Sequence, residues 1–194
     1  MFCRRAAFSF LAILVIALPT AAQDGHLWVG PNVNMVSGTT FPDGDPFLQR
    51  QNEPSAAVST RNPLHLLAGA NDYRAVDIPG LPEGKETGDS WLGVFKSLDG
   101  GSTWRSNLLP GYPQDQTPEG LASPLKGFDA AADPVVRAGT DGLLYYAGIA
   151  FIRENLTESA IFVARFEDLN NDERGDPIVH HDTRLVTTAS GNLF

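Results

Sequence analysis

The chain has 194 residues but only one cysteine, Cys3. A single thiol cannot form an intrachain disulfide, and it excludes a zinc site built from several cysteines. Basic residues are also scarce, since 14 Lys and Arg stand against 23 Asp and Glu, for a formal net charge of −9. Such an acidic surface repels phosphate backbones, so the composition disfavours a nucleic-acid partner.

No apolar run is long enough to span a membrane, which takes about 20 residues. The almost purely apolar residues 6–18 follow Arg4 and Arg5 and are ended by Pro19, with small residues at 20–22. This order is typical of a secretory signal. We therefore predict a signal peptide over 1–22 and a secreted product, extracellular or periplasmic; an uncleaved N-terminal anchor is the alternative. Cleavage would leave no cysteine, and 12 basic against 23 acidic residues, a net charge of −11.

The sequence also lacks any sustained helical periodicity. Instead, short β-rich runs alternate with turns rich in Gly, Pro, Asn and Asp. The runs are 54–58, 64–70, 91–97, 103–109, 133–137, 143–149, 160–166 and 184–188, with a long loop over 110–128. This pattern predicts an all-β fold.

Two halves of the chain resemble each other. Glu53-Pro54 opens a short strand, a tight turn and a strand rich in small residues, and Asp133-Pro134 opens the same series 80 positions later. Four antiparallel strands per repeat form a β-propeller blade, and a β-sandwich is the alternative. We predict a leader over 23–49, one blade over 50–130 and a second over 131–194. Two blades cannot close a ring, so we expect the chain to be part of a longer product.

The most specific local pattern lies in the turn after residue 96. Its five fixed positions have the spacing Ser-x-Asp-x-Gly-x-Thr-Trp and are Ser97, Asp99, Gly101, Thr103 and Trp104. The aspartate can accept hydrogen bonds from the backbone of its own turn, and the glycine permits a positive φ. The tryptophan can bury its ring against the hairpin. An ordinary Asp-Gly turn is the alternative.

This pattern resembles the Asp-box, or BNR repeat, of the sialidase superfamily of β-propellers. Residues 52–58 with 71–74, and 133–136 with 141–148, resemble the first two blades of secreted bacterial members. The resemblance implies six or more blades and an exo-acting glycoside hydrolase for sialylated or related glycans. A non-catalytic propeller that binds glycans or extracellular proteins is the alternative function.

The resemblance also implies where ligands bind. The Asp-box lies opposite the ligand funnel, so it has a structural role. Active members clamp the substrate carboxylate with three arginines and use an Asp as acid/base beside a Tyr–Glu nucleophile. The candidates here are Asp72 and Arg74 as catalytic residues, with Arg50, Glu53 and Tyr73 binding substrate. The Phe/Tyr-Arg-Ile-Pro motif of active members is absent. A turn-capping role for Asp72 and a salt bridge for Arg74 stay open.

One acidic loop could bind calcium. Its oxygen-bearing side chains alternate at Asp168, Asn170, Asp172 and Asp176, which suits a hard cation, although the loop is not an EF-hand. An ordinary acidic hairpin is the alternative. Residues 180–182, His-His-Asp, lie on a predicted strand, where neighbours point to opposite faces. We interpret them as a surface edge rather than a metal site.

Overall fold

The computed structural model describes residues 30–36, 51–74, 90–153, 158–171 and 176–190. The chain divides into two compact units, Met1–Pro31 and Asn32–Phe194. Only Gly30 and Pro31 of the first unit are described, so the account below concerns the second. The predicted signal peptide, most of the predicted leader, Arg50 and Asp172 lie outside the described residues. Within the described ranges, no helix has the length and apolar character needed to cross a membrane.

The described part of the second unit is built from strands, as the sequence predicts. The elements are β1 (Gln51–Val58), β2 (Leu66–Asp72), β3 (Trp91–Ser97), β4 (Arg105–Leu108), α1 (Pro118–Ala122), β5 (Ala130–Ala138), β6 (Leu143–Phe151), β7 (Glu158–Asp168) and β8 (Ile178–Ser190). They form two antiparallel sheets, β1-β2-β3-β4 and β5-β6-β7-β8, each in chain order. Two successive four-stranded meanders are the arrangement of propeller blades. The predicted all-β fold of four-stranded antiparallel blades is therefore confirmed.

Two elements differ from the sequence pattern for local reasons. The strand predicted over 103–109 is β4, which begins only at Arg105 because Thr103 and Trp104 still belong to the preceding turn. The loop predicted over 110–128 contains the short helix α1. This helix starts after Thr117, whose hydroxyl accepts a hydrogen bond from the Gly120 backbone N–H.

The repeated acid-Pro pair marks a repeated β-bulge. The register of β1 on β2 shifts between Asn52 and Ser55, and that of β5 on β6 shifts between Ala132 and Val135. In each bulge the acidic residue takes a left-handed conformation, with φ of 53° at Glu53 and 60° at Asp133. Both strands therefore bend at equivalent places, which the sequence repeat had suggested without revealing its cause.

The two sheets pack face to face through one shared apolar core. Tyr146 of β6 is fully buried, and its hydroxyl donates a hydrogen bond to the Gly93 carbonyl of β3 at 2.9 Å. Its ring lies over Gly69, where a Cβ atom would come within 2.6 Å of the ring. Two glycines thus form a slot in the first sheet that accepts the tyrosine of the second. Around it pack large buried side chains, namely Leu67, Leu92, Val94, Leu144, Phe162 and Phe166.

The turn between β1 and β2 ties the sheets together at one end. Ser59 donates to the Asp168 carboxylate at 2.5 Å, and the His65 ring lies 2.9 Å from the other carboxylate oxygen. The Arg61 guanidinium donates to the backbone carbonyls of Asp168 and Asp141 at 2.6 and 2.5 Å. The second sheet is therefore held at both of its own turns on this side.

We predict that Tyr146→Phe lowers the free energy of unfolding by about 1–2 kcal/mol, because the Gly93 carbonyl loses its buried donor. Tyr145→Phe is the matched control, since this neighbour is 38% exposed. Chemical denaturation of both variants checks the expectation. Equal losses for the two variants would contradict it.

Candidate functional site

The candidate site lies at the end of the sheets where β1 and β5 begin. Neighbouring strands are antiparallel, so β2 and β6 end there too. We call this the bulge end; its described residues are 51–53, 71–74, 90–91, 129–133 and 151–153. The opposite, turn end holds the β1–β2, β3–β4, β5–β6 and β7–β8 turns. Residues of the Asp-box pattern and of the acidic loop therefore lie at the turn end, away from Asp72 and Glu53.

Asp72 and Arg74, the predicted catalytic pair, bind each other. The carboxylate is fully buried, and the arginine side chain is 1% exposed at 2.7 Å from it. The guanidinium also donates to the Ser106 hydroxyl at 3.1 Å and to the Asn107 carbonyl at 3.0 Å. It lies 5.8 Å from the centre of the Phe95 ring. Each guanidinium nitrogen therefore has a partner within the protein.

These contacts show why the charges are tolerated inside the sheet. A buried charge is stable only when it is paired and hydrogen-bonded. Asp72 accepts further hydrogen bonds from the Arg74 backbone N–H at 3.0 Å and from Gln51 at 3.5 Å. The turn-capping and salt-bridge alternatives describe the observed contacts, and a role of the pair in catalysis stays a prediction.

The substrate-binding candidates lie beside this pair. Glu53 is exposed, and its carboxylate accepts a hydrogen bond from the Asn71 side-chain amide at 3.1 Å. The Asn71 carbonyl oxygen in turn accepts from the backbone N–H of Asp133 at 2.8 Å. One buried asparagine therefore fixes the two bulges relative to each other. Tyr73 is half-buried at the same end.

Tyr146 has no access to a ligand in this structure. Burial first, and then the negative charge of Asp72, raise the pKa of its hydroxyl well above the ordinary value. Its hydrogen bond to the Gly93 carbonyl occupies the phenolic proton. The tyrosine is therefore a packing residue, as its place in an apolar strand suggests.

The turn from Ser97 to Trp104 folds as its sequence predicts. Asp99 accepts from the Thr103 backbone N–H at 2.8 Å and from its hydroxyl at 2.6 Å, and these bonds lower the pKa of the carboxyl. Ser97 accepts from the Gly101 N–H at 2.8 Å, and Gly101 has φ of 90°. The Trp104 indole donates to the Gly101 carbonyl at 3.0 Å. The turn is a closed hydrogen-bonded unit, so its role is structural.

The calcium candidates that are described have other contacts. Asp168 is fully buried; burial raises the pKa of its carboxyl, but hydrogen bonds from Ser59, His65 and the Asn170 backbone outweigh it and leave the pKa lowered. The Asn170 side chain accepts from Asn62 at 2.9 Å, and Asp176 pairs with Lys96 at 2.8 Å. Among the described residues, no group of three or more His, Cys, Asp or Glu could hold a metal ion. Calcium binding stays a prediction.

Sequence reasoning did not single out three residues that matter here. Asn71 joins the bulges, and His65 reaches Asp168 across 103 positions. Arg153 is exposed at the bulge end, with its guanidinium carbon 5.1 Å from the Phe151 ring centre. The only available signal was the placement of Arg153 after a strand that ends at this side; the other two contacts depend on distant partners.

Comparison with known proteins leaves the family open. No protein-family model matches the chain, and no curated protein matches it. Among solved structures, Trypanosoma rangeli sialidase is 12% identical with a TM-score of 0.48, over 71% of this chain and 21% of the sialidase chain. A glycosyl hydrolase from Bacteroides ovatus is 18% identical with a TM-score of 0.37, over 69% and 31%. The RS223 β-xylosidase is 16% identical with a TM-score of 0.36, over 69% and 36%. The chain thus spans 21–36% of the length of these proteins.

We predict that Arg74→Met lowers the free energy of unfolding by about 3–5 kcal/mol, because it leaves the Asp72 carboxylate buried without its partner. Adding Asp72→Asn removes that charge and restores part of the loss. The exposed arginine of β5 supplies the control, since Arg137→Met should change stability by no more than about 0.5 kcal/mol. Urea unfolding of the three proteins checks this, and a double variant no more stable than Arg74→Met would contradict it.

For the β3–β4 turn, we predict that Asp99→Ala lowers the melting temperature more than Ser102→Ala. The aspartate holds both the backbone and the hydroxyl of Thr103, whereas the Ser102 hydroxyl makes one exposed hydrogen bond to the Asp99 carbonyl. Differential scanning calorimetry at neutral pH compares the two variants. The structural role assigned to this turn is wrong if both melt with the wild-type chain.

Proposed function

We propose that the chain is part of a carbohydrate-binding β-propeller of the glycoside hydrolase type, and that sugars bind at the bulge end. The observation that carries this proposal is the pair of equivalent bulges at Glu53 and Asp133. Both side chains are exposed, and both residues are held in the same left-handed conformation. Carboxylates accept hydrogen bonds from hydroxyl groups, which are the groups that sugars present in greatest number.

The buried Asp72–Arg74 pair supports this surface from below. Arg74 connects the end of β2 to β4 through Ser106 and Asn107, and Asp72 connects it to Gln51 at the start of β1. Because these bonds fix the strand that carries Asn71, they also fix the bridge between the bulges. We therefore favour a positioning role for Asp72 and Arg74 over direct contact with substrate.

Sialylated glycans are one possible substrate class within this proposal. Their carboxylate needs a cation, and Arg50, predicted to bind substrate, is one candidate at the start of β1. Arg153 is a second, because it is exposed at the bulge end. Exo-acting hydrolysis, secretion after removal of 1–22 and calcium at the acidic loop belong to the same proposal. The sequence resemblance to sialidases supports them.

A non-catalytic propeller that binds glycans or extracellular proteins is the second candidate. The contacts of Arg74 favour it, because the predicted clamp is neutralised by the predicted acid and both lie inside the fold. Binding without hydrolysis would need only the exposed carboxylates and amides of the bulge end.

Glycan binding and turnover by the natural gene product test the proposal. Glycan-array screening should find a saccharide ligand, and Glu53→Gln or Asp133→Asn should weaken its binding about tenfold or more, since a hydrogen bond to a charged group contributes about 1.5–3 kcal/mol. Asp141→Asn is a matched control. It also replaces an exposed aspartate with positive φ, 54° against 60° at Asp133, but at the turn end.

Turnover of fluorogenic α-sialosides and β-xylosides then separates the two candidates. Hydrolysis of either glycoside supports the enzyme, whereas saccharide binding without hydrolysis supports the binding propeller. Equal effects of Asp133→Asn and Asp141→Asn on binding would contradict the location at the bulge end.

A further inference from the structure

The connection between the sheets, residues 109–129, is a folded unit rather than an open loop. Asp115 is buried, and its carboxylate accepts from the Gly111 N–H at 3.0 Å and from the Thr117 N–H and hydroxyl at 2.9 and 2.7 Å. The Lys126 ammonium donates to the carbonyls of Tyr112, Pro113 and Asp115 at 3.1, 2.8 and 2.7 Å. These bonds close the segment on itself, so we expect it to move as one piece.

The ends of this connection are anchored in the core. Leu109, Leu125 and Phe128 are buried, and the Leu109 carbonyl accepts a hydrogen bond from the Trp91 indole at 2.7 Å. Its middle carries α1, whose Glu119 is exposed to solvent over 56% of its side chain. The attachment of this middle part therefore depends on what Glu119 contacts.

Glu119 forms an ion pair with His180 of β8. The two meet through the carboxylate and the ring Nδ1, while the other ring nitrogen lies 3.0 Å from the Thr183 hydroxyl. The imidazole is 14% exposed and packs on Phe166 of β7, with ring centres 5.2 Å apart. The histidine is thus held in one orientation by three neighbours, and only Glu119 among them carries a charge.

The remaining charged groups near His180 already balance each other. Glu119 and His180 line a groove between the sheets, of about 330 Å³, together with Lys96 of β3 and Asp176 just before β8. Lys96 donates to the Asp176 carboxylate at 2.8 Å and to the Ile178 carbonyl at 2.6 Å. The charge on the imidazole is therefore the variable one in this groove, and it faces Glu119.

We propose that Glu119 and His180 form a pH-sensitive latch between the connection and the second sheet. Histidine is ordinarily protonated below about pH 6.5, and its charge is lost as the pH rises through that value. A protonated His180 attracts the Glu119 carboxylate and holds α1 against β8. Deprotonation removes the attraction, so α1 loosens and the groove that it borders opens. The connection leads directly into β5, so the latch also acts near the bulge end.

Hydrogen exchange of the full chain, followed by mass spectrometry at pH 5.5 and pH 8.0, tests the latch. After correction for the intrinsic effect of pH, peptides covering 111–122 should exchange about two- to fivefold faster at pH 8.0, the range set by a partly exposed ion pair. Peptides from β7 serve as the internal reference and should show no such change. Glu119→Gln should abolish the pH dependence of 111–122. Its exposed side chain makes misfolding an unlikely complication.

The neighbouring His181→Gln is the matched control. His181 pairs with Glu167 at 2.6 Å within the second sheet and does not contact the connection. This variant should keep the pH dependence of 111–122. The latch is refuted if wild-type exchange of 111–122 is equal at the two pH values, or if Glu119→Gln keeps the wild-type dependence.

Discussion

The close approach of Tyr146 to two glycines is the constraint on which the rest of the structure depends. A side chain at position 69 would meet the ring, and the phenol would have no acceptor without the Gly93 carbonyl. The same slot borders the buried ion pair, because a Cβ atom at position 93 would come within 2.7 Å of the Asp72 carboxylate. The apolar packing of the sheets and the polar structure of the bulge end therefore rest on the same few backbone positions.

Polar joints complete this contact at both ends of the sheets. At the bulge end, Asn71 connects Glu53 with Asp133. At the turn end, Ser59 and His65 hold the buried carboxylate of Asp168. Each joint satisfies polar groups that would otherwise be costly to bury, so the joints fix geometry more than they add stability. The spacing of the exposed carboxylates, on which the proposed function rests, follows from that geometry.

Much of the fold could be predicted because its signals are local. Alternating apolar runs gave the strands, the acid-Pro repeat marked equivalent positions of two sheets, and Asp99 revealed a turn closed by its own residues. The partners of Arg74 and Asp168 could not be predicted in the same way. Asp168 stands in an oxygen-rich stretch that suggests calcium, yet its partners Ser59 and His65 lie 109 and 103 positions away. Contacts of that kind depend on how the sheets pack, which no local pattern records.

The central claim is that the two sheets form one cooperative unit joined at the Tyr146 slot. Amide hydrogen exchange measured by NMR tests it most directly, through the opening free energies of buried amides in β3 and in β6. The account predicts equal values for the two strands and an equal decrease in both when Gly69→Ala crowds the slot. Different opening energies, or a decrease confined to β6, would show that the sheets open independently and would contradict the account.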